Sequence, residues 1–573
     1  DPDKYLIFKP LLEEERYAPI IECTLGAKER KMIYATGGST RTATVETTQK
    51  ERELFVLDEA EILELARWAV TIERHYGKPM DMEWAKDGET GKLFIVQARP
   101  ETIQSSRTAS ELKTYRLKEA GTPILSGSAI GEAIASGTVC AIRDTADIER
   151  FVDGAILVTG MTDPDWVPIM KRAAGIITDH GGTTSHAAIV SRELGVPAIV
   201  GTGHGTEILH NGREVTLSCA EGDQGVVYDG ILPFETSEVD LSNLPETNTA
   251  MMVNVASPSA AFHWWRLPTQ GVGLARMEFI INTLIKIHPM ALIHPDRVDD
   301  AAAQHEIRAM TRSYENPIEF FVETLALAKL AAPYHPHPVI VRLSDFKTNE
   351  YAHLIGGSAF EPEEENPMLG WRGASRYYDE RYRAGFALEC RALKKVREDI
   401  GMTNIIIMVP FCRTLEEADR VLAEMAGNGL ERGQAGLEVY MMSEIPANVF
   451  LAEEFATRFD GFSIGSNDLT QLTLGIDRDS GDLAPLFDER NEAVKRAIRE
   501  VIAKAHKVGI KIGICGQAPS NYPEFAAFLV EEGIDSISLN PDSFVATLRH
   551  VASVEKALQT ASGKSAHGLG AEK

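Results

Sequence analysis

A short apolar strand that ends in a polar or charged residue, followed by a helical stretch, recurs through the C-terminal half of this chain. No other sequence feature limits its fold as strongly. Val272-Gly273-Leu274-Ala275 ends at Arg276, and Val339-Ile340-Val341 ends at Arg342. Ile405 to Val409 ends at Pro410, Val439 to Met442 runs into Ser443-Glu444, and Phe462-Ser463-Ile464 runs into Gly465-Ser466-Asn467-Asp468. Ile512-Gly513-Ile514 ends at Cys515, and Ile537-Ser538-Leu539 ends at Asn540. Repeated strand-then-helix units predict a (β/α)8 TIM-type barrel, whose active site lies where the strands end. The alternative is an open doubly wound sheet, but no GxGxxG fingerprint opens the first unit.

On the barrel reading, Arg276, Arg342, Glu444, Asp468 and Cys515 face one cup. Glu444 and Asp468 are hard oxygen donors on successive strands with no His or Cys beside them, which suits Mg²⁺ better than Zn²⁺. Each alone also fits a satisfied polar strand end; their joint placement favours the metal. Arg276 and Arg342 are planar, permanently charged forks that match phosphate or carboxylate, although surface ion pairing is the usual fate of an arginine. Arg372, in Asn366-Pro367-Met368-Leu369-Gly370-Trp371-Arg372-Gly373, is a third candidate. Cys515 read alone is a small buried residue; beside a metal and arginines a thiol can move a proton on a carbon acid.

A second cluster lies upstream, in Gly181-Gly182-Thr183-Thr184-Ser185-His186-Ala187-Ala188. The glycines allow a tight turn, the hydroxyl residues can cap a helix, and the helix that follows is stopped by Gly195 and Pro197. His186 therefore falls in a first helical turn, where free amides and the helix dipole favour an anion. A neutral imidazole there can attack phosphorus and become a phosphoryl carrier. On these residues alone, a capped helix start without chemistry is the more economical reading. In the N-terminal region, Glu83 and Gln97 fall on the two strands of an expected hairpin, with Arg99 just beyond. Glu83 could bind a nucleotide-bound Mg²⁺ and Arg99 a phosphate, though a solvated hairpin face explains them as well.

Whole-chain properties bound the function. A chain of 573 residues exceeds one core, so several domains are expected. The formal net charge of −26 argues against nucleic acid as a partner, while leaving small phosphorylated ligands open. Six scattered cysteines without a CxxC pair suggest reduced thiols in a cytoplasmic protein. No apolar run reaches membrane-spanning length and no signal peptide opens the chain, so no membrane partner is expected. The first residues read as the middle of a domain, so an N-terminal portion is expected to be missing. The organisation is a multidomain α/β chain: a first region over 1–103, a polar linker over 104–120, a strand-rich domain over 121–234, a second linker over 235–248, the barrel over 249–560 and a tail over 561–573.

These residues resemble those of the PEP-utilising enzymes. The segment Gly181 to Ala188 is similar to their phosphohistidine swivelling domain. The similarity extends to Val341-Arg342-Leu343-Ser344-Asp345-Phe346-Lys347-Thr348-Asn349-Glu350-Tyr351 and Ser443-Glu444-Ile445-Pro446-Ala447-Asn448. It also takes in Gly465-Ser466-Asn467-Asp468-Leu469-Thr470-Gln471-Leu472 and Gly513-Ile514-Cys515-Gly516-Gln517. It covers essentially the whole chain.

The resemblance implies that residues 1–103 are the C-terminal part of an ATP-grasp nucleotide-binding domain, with Glu83, Gln97 and Arg99 as ATP and Mg²⁺ residues. It implies that 121–234 is a swivelling phosphohistidine β/α domain and that the barrel is the pyruvate/PEP site. The longer motifs favour the family members that turn ATP, pyruvate and water into AMP, phosphoenolpyruvate and phosphate. In that chemistry His186 is the carrier and Cys515 moves the methyl proton. Glu444 and Asp468 bind Mg²⁺, and Arg276, Arg342, Arg372, Gly465, Ser466, Asn467 and Asp468 hold the substrate. Thr184 is the position that a regulatory kinase modifies in relatives, and the family suggests a homodimer through the barrel. Two departures stand out. Ser185 stands where many relatives have cysteine, and the rest of the ATP-grasp domain is absent, which leaves ATP use by this chain alone open. The rival readings are a pyruvate, phosphate dikinase, a phosphotransferase-system enzyme I, a Mg²⁺-dependent aldolase or lyase barrel, and a non-catalytic regulatory subunit that keeps the fold.

Overall fold

The computed structural model describes residues 2–34, 42–100, 111–182, 185–222, 224–314, 316–325, 327–476, 483 and 486–567. The chain divides into two compact units. One comprises Asp1–Tyr5 and Cys23–Ser242, the other Leu6–Glu22 and Asn243–Lys573.

In the first unit, the segment Glu59–Tyr76 is helical as its pattern predicts. Asp58 and Glu61 form a capping box at its start, and Gly77 closes it at φ 66°. The hairpin follows, with Met80–Lys86 antiparallel to Leu93–Pro100. Beyond it, seven strands close a small barrel: β1 (Pro123–Ile130), β2 (Ile134–Ala141), β3 (Ile156–Thr159), β4 (Gly175–Thr178), β5 (Ala198–Val200), β6 (Glu214–Ser218) and β7 (Gln224–Asp229). Their order around the barrel is β3-β4-β5-β1-β7-β6-β2. Ile156, Val158, Ile177, Ile199, Val215, Leu217 and Val227 fill its interior. The helix His186–Leu194 packs Ala187, Ala188 and Val190 into a second cluster with Leu157, Ile176 and Val200 on the other face of the strands.

Part of each stretch read as linker is strand. Glu111–Leu117 pairs antiparallel with Phe234–Asp240, Leu117 opposite Phe234 and Glu111 opposite Asp240. Lys113 faces Glu238 across the ribbon at 2.6 Å. Neither polar segment announces a strand alone, because the bonds that make it one come from the other segment, over a hundred residues away.

The second unit holds the (β/α)8 barrel. Its strands are β8 (Ala250–Val255), β9 (Val272–Arg276), β10 (Val339–Arg342), β11 (Ile405–Val409), β12 (Val439–Ser443), β13 (Gly461–Ile464), β14 (Lys511–Ile514) and β15 (Ser536–Leu539). They run parallel and close in chain order, β15 pairing with β8. Seven of them stand out in the sequence pattern; Ala250–Val255 is the eighth and completes the ring. Met252, Leu274, Ile340, Met408, Tyr440 and Met442 point inward and form one buried cluster that Cys515 caps.

Leu6–Glu22 belongs to this second unit rather than to the region of residues 1–103 to which the sequence assigned it. The Ala18 amide donates to the Asp399 carbonyl at 2.9 Å, and Lys329 pairs with Glu22 at 3.0 Å. Gly401, at φ 93°, lets the Tyr17 ring approach so closely that a Cβ there would lie 2.7 Å from it. The final helix runs from Phe544 to His567, into the segment read as a tail; residues 568–573 lie outside the described residues.

Candidate active site

A cavity of ≈ 660 Å³ opens at the C-terminal ends of the barrel strands. Arg276, Arg342, Arg372, Glu444, Gly465, Ser466, Asn467, Asp468 and Cys515 all line it. Arg276 and Arg342 are the last residues of β9 and β10 and are direct neighbours in register. Glu444, Gly465 and Cys515 each follow the last residue of a strand. A barrel strand buries its body and presents the residue at its end, which is why the pattern was legible.

Glu444 is 1% exposed. Its Oε1 accepts the Phe411 amide at 2.7 Å, while Oε2 has no hydrogen-bond partner among the described residues. Burial, then the nearby Asp468 and Asp345 carboxylates, push its pKa up to about 8. Oxygens of Asp345, Glu444 and Asp468 lie within 4.8 Å of one another, and all three residues are buried. Three hard oxygen donors crowded out of water, one with an oxygen unspent, fit a divalent cation such as Mg²⁺. Gly465 leaves room for this group: a Cβ there would lie 2.6 Å from Glu444 Oε2.

Around the carboxylates stand the arginines. Arg372 binds Asp345 with two forks, Nε to Oδ1 at 3.0 Å and Nη2 to Oδ2 at 2.5 Å, and reaches Asp468 Oδ2 at 3.4 Å. Arg342 pairs with Glu278 and lies 3.7 Å from Asp345 Oδ2. Burial opposes both guanidinium charges, but the surrounding carboxylates raise both pKa values above the ordinary arginine range. Burial likewise pushes Asp345 up, and Arg372 and Arg342 more than reverse it, so its pKa is lowered. The Cys515 thiol is 2% exposed and its pKa is raised by burial, against the pull of Ser463, Arg276 and Arg342. Burial thus favours the neutral thiol over the thiolate here.

Sequence reasoning missed several participants. Asp345 stands three residues after Arg342 and Glu278 two after Arg276; an acid so close behind a strand-end arginine was the available signal. Phe411 gave none. It sits at φ 47°, a strained value for an aromatic residue. That turn aims its amide at Glu444 and places its ring 4.0 Å under the Arg372 guanidinium. Asn448, inside a quoted motif, braces the same turn: Oδ1 accepts the Ile445 amide at 3.0 Å and Nδ2 donates to the Cys412 carbonyl at 2.7 Å.

The other unit holds the histidine. His186 opens its helix as expected, after Gly181 at φ 104°. Thr162 Oγ1, 5% exposed as a residue, lies 3.0 Å from His186 Nδ1. His186 lines a cavity of ≈ 1320 Å³ together with His180, Lys28, Arg30, Lys31 and Trp84. Glu83 faces Gln97 across the hairpin and Asp81 faces Arg99, with a bulge just after Glu83. Arg99 and Asp81 form an exposed ion pair at 3.2 Å. Glu83, Gln97 and Arg99 thus share one hairpin face but are not brought to the wall of the His186 cavity, where Trp84 stands instead. Thr184 lies outside the described residues.

Comparison with known proteins follows this division. Residues 1–119 match the pyruvate phosphate dikinase AMP/ATP-binding domain, 151–222 the PEP-utilising enzyme mobile domain, and 236–556 the PEP-utilising enzyme PEP-binding domain. The chain is 56% identical over 568 residues to a phosphoenolpyruvate synthase of Synechocystis sp., covering 97% of this chain and 69% of the relative. It is 51% identical over 560 residues to that of Escherichia coli, covering 97% and 70%, and 49% identical over 618 residues to that of Aquifex aeolicus, covering 97% and 72%.

Proposed function

The chain belongs to the phosphoenolpyruvate synthases among the PEP-utilising enzymes, and on that footing we propose a division of labour among its residues. Its activity is that of the family, the formation of phosphoenolpyruvate from pyruvate, and its AMP/ATP-binding region implies ATP as the phosphoryl source. We infer that the barrel cavity is the pyruvate/PEP half-site and that His186 carries the phosphoryl group to it. The observation that supports this best is the convergence of Asp345, Glu444, Asp468, Arg342, Arg372 and Cys515 in one cavity.

In the direction of PEP breakdown, His186 attacks the phosphorus of PEP. The N–P bond forms as the bond from phosphorus to the enol oxygen breaks. With Thr162 at Nδ1, Nε2 is the ring nitrogen left to attack. Arg342 and Arg276 neutralise the three phosphoryl oxygens in flight. Glu444 and Asp468 would hold Mg²⁺, whose chemistry there is Lewis-acid stabilisation of the enolate. Arg372, anchored by Asp345 and stacked on Phe411, and Asn467 orient the substrate carboxylate. Cys515 Sγ then gives its proton to C3 of the enolate, which yields pyruvate. Synthesis is the reverse, with the thiolate taking a methyl proton.

Several finer features belong to the same reading. Glu83, Gln97 and Arg99 contribute to the nucleotide site, and a dianion placed on Thr184 by a regulatory kinase would repel phosphate from His186. We place the enzyme in the cytoplasm as a homodimer joined through the barrel; the six free cysteines support a reducing compartment, and no helix among the described residues is long and apolar enough to cross a membrane.

The test is incubation of the chain with Mg²⁺ and ³²P-labelled PEP. Acid-labile, base-stable label, absent from His186→Ala, together with released pyruvate, is the expected result. A folded, Mg²⁺-binding chain that binds PEP yet never becomes labelled would overturn the carrier role.

A further inference from the structure

Glu489 is a carboxyl of the barrel cavity that the reaction above does not use. It lines the cavity with Cys515 and Asp468 and is 6% exposed. The Ser466 hydroxyl donates to its Oε1. Burial raises its pKa, and the charge bearing on it is another carboxylate, Asp488. Among the described residues it is held by a hydroxyl and not by a cation.

Its donor stands where two strand tops meet. Ser466 opens the helix after β13, which carries Asn467 and Asp468. Ala518 opens the helix after β14, three residues beyond Cys515. These tops already abut: a Cβ at Gly516 would lie 1.7 Å from Ser466 Oγ. The Cys515 amide donates to the Ile464 carbonyl at 3.2 Å, and its carbonyl accepts from Asn254 Nδ2 at 3.4 Å. A thiol moves a proton efficiently only when sulfur and carbon are held within a few tenths of an ångström of the productive distance.

We propose that Glu489 is a positioning residue for the proton transfer, fixing the Ser466 hydroxyl against Gly516 and so setting the adjacent Cys515 thiol against the substrate bound beside Asp468. This rests on the barrel reading given above. Arg342, Arg372 and Glu444 stand on other strand tops, so most of the phosphoryl neutralisation and substrate binding does not pass through this contact. A glutamine preserves the contact, since its side-chain carbonyl still accepts from the Ser466 hydroxyl. An alanine removes it.

The experiment is exchange of ¹⁴C-pyruvate into PEP with Mg²⁺, run with CH3- and CD3-pyruvate on the wild-type chain, Glu489→Ala and Glu489→Gln. Affinity for oxalate, a planar dianion shaped like the enolate, is measured alongside. Glu489→Ala is expected to exchange at least tenfold more slowly at saturation, with a larger CH3/CD3 ratio and an oxalate affinity within threefold of wild type. Glu489→Gln is expected to recover most of that loss. Unchanged exchange in Glu489→Ala, or equal losses of exchange and oxalate affinity, would overturn the role. So would a Glu489→Gln as slow as Glu489→Ala, since that result would make Glu489 a proton carrier. If the wild-type chain itself exchanges nothing, the barrel reading falls and this inference falls with it.

Discussion

Thr162 Oγ1 lies 3.0 Å from Nδ1 of His186, across 24 residues of sequence. The threonine is buried and the histidine stands at the wall of a large cavity, so the ring is held at one nitrogen and presented at the other. Thr162→Val keeps the shape and removes the partner. Labelling of His186 by PEP is expected to slow about tenfold, the equivalent of one net hydrogen bond of about 1–1.5 kcal/mol. Thr162→Ser is expected to stay close to wild type. Rates of formation of acid-labile phosphate on the protein decide this.

The three clustered carboxylates are not equivalent. Asp345 is committed to Arg372 and Arg342, whereas Glu444 has an oxygen without a hydrogen bond. Glu444→Gln is expected to raise the Mg²⁺ concentration for half-maximal pyruvate–PEP exchange at least tenfold, in the range typical for losing support of a bound metal. Asp345→Asn is expected to act mainly on substrate binding, because it releases Arg372. Mg²⁺ titrations of both variants at fixed PEP separate the two. Chelation of Mg²⁺ is expected to stop exchange in the wild-type chain.

Glu389 is fully buried, and no cation pairs with it among the described residues. Ser344 gives it a hydroxyl bond and an amide bond at 3.2 Å, and the Tyr382 hydroxyl donates at 3.3 Å. Burial, only partly offset by these donors, raises its pKa from 4.5 to about 7. Between those values the folded protein holds a proton that the unfolded chain has released, so its contribution destabilises progressively as pH rises from about 4.5 to 7. Glu389→Gln is free of this penalty. Relative to wild type it is expected to gain about 2–3 kcal/mol between pH 5 and pH 8, from the pKa difference at 1.36 kcal/mol per unit. Urea unfolding of the barrel at both pH values measures it.

The ribbon of Glu111–Leu117 and Phe234–Asp240 places Thr114 opposite Ser237. A Thr114→Cys, Ser237→Cys pair is expected to oxidise readily. If the strands stay paired while the carrier works, labelling of His186 by PEP is expected to remain within about twofold with and without reductant, too small a change to amount to 1 kcal/mol of barrier. A loss of labelling that reductant restores would show that the ribbon must open.

What the residues determined alone is what depends on neighbours in the chain. A strand followed by a helix places the residue at the strand's end in the barrel mouth, so Arg276, Arg342, Glu444, Asp468 and Cys515 could be assigned to one cup before any fold was known. A glycine turn followed by a helix likewise assigned His186 to a helix start. Distant pairings were decided only by tertiary structure. These include Thr162 against His186, Phe411 turned to serve both Glu444 and Arg372, and Glu489 against the Ser466 hydroxyl. They also include the two linker segments made into one ribbon, and Leu6–Glu22 joined to the barrel's unit. The protonation states belong with them: burial raised Glu444, Glu389 and Cys515, and the surrounding carboxylates raised the buried arginines. Local sequence dictates local geometry, but desolvation and long-range hydrogen bonds exist only once the chain has closed on itself.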